Sequence, residues 1–298
     1  MIKELEKCEC CPHRCQVNRL KGEIGRCRAS DKIKIALCST HMYEEPCISG
    51  TKGSGTIFFS NCNLSCVFCQ NYEISQQGKG KEYTVEELAD KMLKQQEKGV
   101  HNINLVTPTI YAYQIKEALK IAKSKGLKIP VVYNTNGYEN VETLRALEGY
   151  IDIYLPDFKY YFNDLAKQYS RVENYFEITT KALLEMKRQV GENCFDEKGM
   201  LTKGMIIRHL VLPNYLENTK KVLAWMKDNL GSDTYVSVMA QYFPTYLAKQ
   251  DEKLGRKLTK REYRRIEACL YELELENGYL QDLEKFEEEY VPNWDKEN

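Results

Sequence analysis

The sequence has no long apolar run: no stretch of about 18 apolar residues, the length that crosses a bilayer, occurs in its 298 residues. We therefore expect no transmembrane helix and no membrane partner. The opening residues Met1–Lys7 are charged and lack the apolar core of a secretory signal peptide. These two absences predict a cytoplasmic protein.

An excess of charge of either sign is also missing, because 43 lysines and arginines balance 43 aspartates and glutamates. No run of basic residues stands out in the linear sequence, so we expect no nucleic-acid partner, although a neutral total leaves room for a local basic patch. Hydrophobic residues make up 43% of the chain, enough for a substantial core. The length permits one large α/β domain with a small appendage.

Cysteine is scarce beyond residue 69, where only Cys194 and Cys269 occur, whereas ten of the twelve cysteines precede that point. Disulfides are rare in a reducing compartment, so clustered thiols there indicate metal ligands. A secreted disulfide domain would need a signal peptide. We therefore divide the chain into a cysteine-rich, metal-binding segment (1–50), a catalytic core (51–280) and an acidic C-terminal tail (281–298).

From residue 56 onward, short apolar runs alternate with amphipathic segments. The runs predict strands near 56–60, 102–106, 129–133, 151–155, 204–212 and 234–239. A capping box at Thr84–Glu87 predicts the start of the first intervening helix. Such alternation is typical of right-handed βαβ units. The sequence predicts an α/β fold, a partial (βα)6 barrel of parallel strands, whose chemistry lies at the carboxyl ends of those strands.

The loop after the first of these strands carries Cys62, Cys66 and Cys69 with the spacing C-x3-C-x2-C. Three thiolates on one loop can bind three irons of a [4Fe-4S] cubane and leave the fourth iron without a protein ligand. An open metal position is where chemistry occurs, by the logic that separates catalytic from structural metal sites. The alternatives, a zinc knuckle or three unrelated buried cysteines, explain this spacing less well.

This loop, with the aromatic Phe68 just before the third cysteine, resembles the signature of the radical S-adenosylmethionine (SAM) superfamily. The resemblance implies a [4Fe-4S] cluster that cleaves SAM reductively and releases a 5′-deoxyadenosyl radical, which abstracts hydrogen from a substrate. It also implies that Phe68 shields the cluster or contacts adenine.

A closer resemblance covers nearly the whole chain, and it is to iron–sulfur proteins related to pyruvate formate-lyase activating enzyme. The motifs that carry it are EEP (44–46), GSGTIFF (53–59), CQNY (69–72), IYLPDFK (153–159) and RHLVLP (208–213). It implies that Asp157 and Lys159 help to hold SAM and that Arg208 grips its carboxylate or ribose. The alternative for each is a structural ion pair.

Other residues at predicted strand ends are candidates for SAM contacts. Asn134 and Thr135 stand where activating enzymes carry Asp-Thr at the ribose, and Thr107 and Thr109 stand where they carry a Gly-Gly-Glu turn for the SAM amine. The two threonines could instead cap the following helix. Gln241 follows the sixth strand and is predicted to line the mouth of the barrel.

Four N-terminal cysteines, Cys8, Cys11, Cys15 and Cys27, supply enough thiolates for a closed second site. The residues leave zinc and a second iron–sulfur cluster equally open, and Cys10 could replace Cys11 as a ligand.

The resemblance favours an oxidoreductase that acts on a protein or peptide, as glycyl-radical activating enzymes do, and that receives electrons from a low-potential donor such as a flavodoxin or ferredoxin. Two alternatives are radical chemistry on a small metabolite or RNA base, and a non-catalytic electron carrier or scaffold. No catalytic residue beyond the cofactor ligands is predicted.

Overall fold

The structure is a computed structural model that describes residues 2–281 together with Leu283 and Trp294. Its strands are β1 (Ile33–His41), β2 (Ser54–Phe59), β3 (Lys81–Tyr83), β4 (Ile103–Val106), β5 (Val131–Thr135), β6 (Ile153–Pro156), β7 (Cys194–Phe195), β8 (Leu201–Leu210), β9 (Tyr235–Met239) and β10 (Gly278–Leu280). Most of the predicted C-terminal tail lies outside the described residues.

Helices cover the strands. They are α1 (Pro46–Ser49), α2 (Tyr72–Ser75), α3 (Val85–Glu97), α4 (Ala112–Ser124), α5 (Val141–Ala146), α6 (Asn163–Ser170), α7 (Tyr175–Val190), α8 (Leu216–Leu230) and α9 (Lys260–Glu272), with a 3₁₀ helix at Tyr246–Gln250. In the part of the chain that the structure describes, no helix is long and apolar enough to cross a membrane.

The sheet has the order β10-β9-β8-β6-β5-β4-β2-β1-β3. Its six predicted strands, β2, β4, β5, β6, β8 and β9, pair in parallel, which confirms the predicted partial barrel of parallel strands. The sequence analysis missed the other strands of this path. Of these, β10 adds a short seventh parallel strand beside β9, and β1 and β3 form an antiparallel edge on β2.

The turn after β1 fills one end of the barrel. Because β1 runs antiparallel to β2, with His41 opposite Ser54, the chain leaves β1 at the end where the parallel strands begin. Helix α1 then packs Cys47 and Ile48 against inward residues of the parallel strands, namely Val132, Ile153, Leu155 and Ile206. This apolar plug fills the amino-terminal end of the barrel.

The start of helix α3 is determined by its local sequence. Thr84 accepts a hydrogen bond from the backbone N–H of Glu87, and the Glu87 carboxylate accepts one from the backbone N–H of Thr84. Leu88 and Met92, one helical turn apart, are fully buried in the main core. The predicted capping box is therefore present, and the helix begins where it places these two side chains on the sheet.

Thr84→Ala removes the cap and should lower the free energy of unfolding by about 1 kcal/mol. Urea unfolding of the variant measures this loss. Lys94→Ala, an exposed change on the same helix, should shift stability by less than about 0.5 kcal/mol. Equal stabilities for Thr84→Ala and the wild type would contradict the account of the helix start.

Candidate functional site

A cavity of about 480 Å³ lies inside the barrel, above the α1 plug, in the size range of cofactor sites. It collects eleven side chains that were predicted as site residues from six separate segments of the chain. The predicted residues that line it are Cys62, Cys66, Phe68, Cys69, Thr107, Asn134, Thr135, Asp157, Lys159, Arg208 and Gln241.

The cysteine loop follows β2, and each of its three sulfurs has a polar neighbour. Cys62 Sγ accepts from the backbone N–H of Leu64 at 3.3 Å and from Asn136 Nδ2 at 3.4 Å. Cys66 Sγ lies 2.9 Å from the hydroxyl of Ser170, and Cys69 Sγ lies 3.2 Å from the hydroxyl of Ser75. Hydrogen bonds to cluster sulfurs are one of the means by which a protein sets an iron–sulfur reduction potential.

The three thiols fit an iron–sulfur cluster. Burial raises the pKa of Cys66 to about 11, so the thiolates need a positive partner, which iron supplies. Among the described residues no three His, Cys, Asp or Glu side chains are placed to hold one metal ion. A cubane differs from a single ion, because each thiolate binds a different iron and the sulfurs need not converge.

Beside these thiols lies a partly buried ion-pair network centred on Arg208 of β8. Its Nε donates to Asp157 Oδ1 at 3.0 Å, and its two terminal nitrogens donate to Glu44 and to Asn134. Lys159 Nζ donates to Asp157 Oδ2 at 2.5 Å. Burial raises the pKa of Asp157, but the charges of Lys159 and Arg208 outweigh burial and leave that pKa below its usual value. Both cations and Asp157 are therefore charged at neutral pH.

Glu44 lies in the EEP motif (44–46), but no role was predicted for it from the sequence. Glu44 follows β1, and its two carboxylate oxygens accept from Arg208 at 3.1 Å and from Asn104 Nδ2 at 2.8 Å. The neighbouring Glu45 also borders the cavity, and its Oε2 is buried without a hydrogen-bond partner. The missed signal was the pair of acidic residues before Pro46, whose position in the barrel depends on the antiparallel strand β1.

The predicted threonines separate in the structure. Thr107 and Thr135 line the cavity, and Thr107 has a left-handed backbone with φ of 59°. Thr109 is fully buried and, within the described residues, is not part of the cavity lining. Its hydroxyl donates at 2.6 Å to Oε1 of Glu139, which also accepts from Thr135.

Phe68 and Gln241 mark the rim of the cavity. The Phe68 ring packs edge-on against Tyr242, with ring centroids 6.0 Å apart. The Gln241 side chain accepts from Gln281 Nε2 at 2.9 Å, and its backbone carbonyl accepts from Gln70, one residue after Cys69. These contacts tie the end of β9 to the cysteine loop.

The N-terminal cysteines form a separate cluster. Cys8 Sγ lies 3.7 Å from Cys10 Sγ, and Cys8, Cys10 and Cys11 are buried together in one small cluster. Cys27 is buried, and burial raises its pKa to about 11. Cys15 Sγ accepts from the backbone N–H of Arg26 at 3.5 Å. Of the predicted ligands, Cys8 and Cys11 share this cluster, whereas Cys15 and Cys27 are not part of it.

Burial raises the pKa of Glu139 to about 7, against 4.5 for a free carboxyl, although Thr109 and Thr135 donate to it. Between these pH values the unfolded chain has released a proton that the folded chain retains. The wild type should therefore lose about 3 kcal/mol of stability relative to Glu139→Gln as pH rises from 4.5 to 7.

Urea unfolding of both proteins across this range, under the same anaerobic conditions, measures the difference. Glu86→Gln, which removes an exposed carboxylate, should show no such trend. If the difference in free energy of unfolding between wild type and Glu139→Gln stayed constant across this pH range, the raised pKa of Glu139 would be contradicted.

Comparisons with known proteins agree with this site. Residues 56–197 match the family model described as the radical SAM superfamily. Uncharacterized protein MJ0674 of Methanocaldococcus jannaschii is 38% identical over 291 residues, which cover 93% of this chain and 76% of that protein. Uncharacterized protein MJ0808 of the same organism is 25% identical over 266 residues, which cover 80% of this chain and 71% of that protein.

Solved structures share the fold. SuiB of Streptococcus suis, bound to its precursor peptide SuiA, superposes with a TM-score of 0.51 at 18% identity, over 74% of this chain and 47% of SuiB. The FeFe-hydrogenase maturase HydG of Carboxydothermus hydrogenoformans superposes with a TM-score of 0.52 at 15% identity, over 74% of this chain and 50% of HydG. The matched region is about half the length of each of these structures. The sequence match, the shared fold and the cysteine loop at the carboxyl end of β2 together show that the chain belongs to the radical SAM superfamily.

Proposed function

We propose that this protein cleaves SAM reductively and uses the resulting radical to abstract hydrogen from a protein or peptide, in the manner of glycyl-radical activating enzymes. The observation that carries the proposal is the meeting of three cysteine thiols and the Arg208 network in one cavity. Cys62, Cys66 and Cys69 would hold the cluster. When bound, the cluster supplies one electron that breaks the sulfonium C–S bond of SAM and leaves methionine and a 5′-deoxyadenosyl radical.

The charged residues would bind SAM beside that cluster. Lys159 and Arg208 would attract its carboxylate, because both cations are held in place by Asp157 and have further N–H groups to donate. Asn134 and Thr135, at the end of β5, offer amide and hydroxyl groups to the ribose. Apolar lining would keep water from the radical, and it consists of Phe58, Leu64, Phe68, Ile74, Val106 and Leu210.

The substrate class rests on the shape of the barrel and on one relative. In the described residues, β10 and β3 end the sheet without pairing to each other, so the barrel has an open side. Such an opening suits a peptide segment better than a closed pocket would. SuiB, whose fold this chain shares, has been crystallised with a precursor peptide. A small metabolite or an RNA base remains the alternative substrate, and a non-catalytic electron carrier would not need the Arg208 network.

The N-terminal cysteine cluster forms a second part of the proposal. Cys8, Cys11, Cys15 and Cys27, with Cys10 close by, would bind zinc or a second iron–sulfur cluster. In the described residues the thiols do not converge on one point, as a single zinc ion would require.

The decisive test of the function is formation of 5′-deoxyadenosine from SAM by anaerobically purified protein with dithionite as reductant. Cys66→Ala should abolish the product, because one iron of the cubane loses its only protein ligand. Cys194→Ala, which changes an exposed cysteine outside the cavity, should retain wild-type activity. Product formation by Cys66→Ala at the wild-type rate would contradict the cluster assignment.

Metal analysis of the same preparations tests the N-terminal site. About eight irons in the wild type would support a second [4Fe-4S] cluster, and about four irons with one zinc would support a zinc site. Four irons and no zinc would contradict any second site.

Glu44→Gln tests the network around Arg208. The variant removes the carboxylate that holds one guanidinium nitrogen, so we expect the Kd for SAM to rise by about tenfold. Glu86→Gln removes an exposed carboxylate that lies outside the cavity, and its Kd should stay within about threefold of wild type. Isothermal titration of SAM into the iron-loaded proteins measures both. Equal affinities for Glu44→Gln and the wild type would contradict the positioning role.

A further inference from the structure

The neutral total charge conceals a local excess of positive charge near the C-terminus. Residues 249–265 contain eight lysines and arginines and only three acidic residues, Asp251, Glu252 and Glu262. Seven of the cations have exposed side chains, and six of these form what we call the basic rim: Lys249, Lys253, Lys257, Arg261, Arg264 and Arg265. This segment does not stand out in the linear sequence, because none of its unbroken runs of basic residues is longer than two residues, as at Arg264–Arg265.

The acidic residues of this segment do little to neutralise the rim. Glu262 is occupied by Arg256, which it binds through both oxygens at 2.7 and 2.8 Å. The Asp251 carboxylate accepts from the backbone N–H groups of Lys253 and Leu254 and so shapes the turn. Glu252 is the remaining exposed carboxylate of residues 249–265. The six cations of the rim therefore present a positive surface to the solvent.

The segment that leads into the basic rim contacts the loop that carries the three cysteines. The backbone N–H of Ala248 donates to the carbonyl of Val67, which lies between Cys66 and Cys69, at 3.0 Å. Tyr246 stacks on Tyr72, just after the loop, with ring centroids 4.9 Å apart and planes at 9°. Lys249 follows these two contacts along the chain.

A second path connects the rim to the same loop. Phe68 packs on Tyr242, whose hydroxyl donates to the carbonyl of Leu254 at 2.7 Å. Leu254 is the neighbour of Lys253. These contacts fix the part of the rim around Lys249 and Lys253 next to the cysteine loop, so a protein that docks there would lie beside the proposed cluster.

We propose that the basic rim is the docking surface for an acidic, one-electron carrier protein that reduces the cluster. The inference rests on the proposed function, since only a redox cluster at Cys62, Cys66 and Cys69 needs such a partner. In each encounter the reduced carrier loses one electron and the oxidised cluster gains it. Opposite charges on two proteins mainly accelerate their association and orient the encounter, and salt weakens the effect.

The test replaces Lys249 and Lys253 with Glu and follows 5′-deoxyadenosine formation with reduced flavodoxin, an acidic carrier, as the probe. At low ionic strength the Lys249→Glu/Lys253→Glu variant should be slower than wild type by about tenfold or more, since steering changes association rates by about 10–10³-fold. With dithionite, which needs no docking, its rate should equal the wild-type rate. At about 0.5 M salt the difference with flavodoxin should fall below about twofold.

A matched control reverses two charges at the opposite end of the barrel. Lys94 and Lys128 are exposed, and they lie in the last turn of α3 and just before β5. The Lys94→Glu/Lys128→Glu variant should react with flavodoxin within about twofold of wild type. Arg261→Glu/Arg264→Glu, at the start of α9, repeats the test on a second part of the rim in case the first variant folds poorly.

Three outcomes would overturn the inference. One is an unchanged flavodoxin rate for both rim variants at low salt. Another is an equal loss for the control variant. The third is a loss of binding to a single-stranded RNA oligonucleotide by the rim variants with no change in the flavodoxin rate, which would make the rim an RNA surface. Failure of the proposed function is distinguishable, because the wild type would then yield no 5′-deoxyadenosine even with dithionite.

Discussion

The structure of the site depends on one partly buried guanidinium. Arg208 of β8 bonds to Asp157 after β6, to Asn134 on β5 and to Glu44 after β1, so a single side chain connects four parts of the chain. Buried charges are costly unless they are paired and hydrogen-bonded, so the network persists only as a set. Removing one partner leaves the others buried without compensation. This constraint explains why the segment after β1 must enter the barrel.

The antiparallel strand β1 places that segment. It carries the chain to the amino-terminal end of the parallel strands, where α1 plugs the barrel with Cys47 and Ile48. Glu44 then lies at the cavity floor, and the cysteine loop lies at the carboxyl end of β2. The plug fills one end of the barrel, and the cations and thiols line the cavity beyond it. One barrel therefore brings together an apolar plug, a network of charged side chains and the loop that carries the three thiols.

Patterns that are local in sequence predicted the architecture well. The strand expected at 102–106 is found at Ile103–Val106, and the capping box at Thr84 starts α3 as expected. Strand ends then indicated the cavity residues, since parallel strands deliver their carboxyl ends to one edge. Non-local pairing was not predictable in the same way. Strand β1 lies in a cysteine-rich segment whose spacing suggested only metal ligands, and β10 is three residues long. Thr109 was predicted to contact SAM, but its hydroxyl donates to Glu139 and does not line the cavity. This placement depends on the left-handed backbone at Thr107, two residues earlier.

The central claim is that SAM binds to the open iron of a cluster held by Cys62, Cys66 and Cys69, beside the Arg208 network. Electron–nuclear double resonance of the reduced protein, mixed with SAM labelled with ¹⁵N at the amine and ¹⁷O at the carboxylate, tests it most directly. The account predicts hyperfine coupling of both labels to the cluster spin. A reduced cluster that shows neither coupling in the presence of saturating SAM would contradict it.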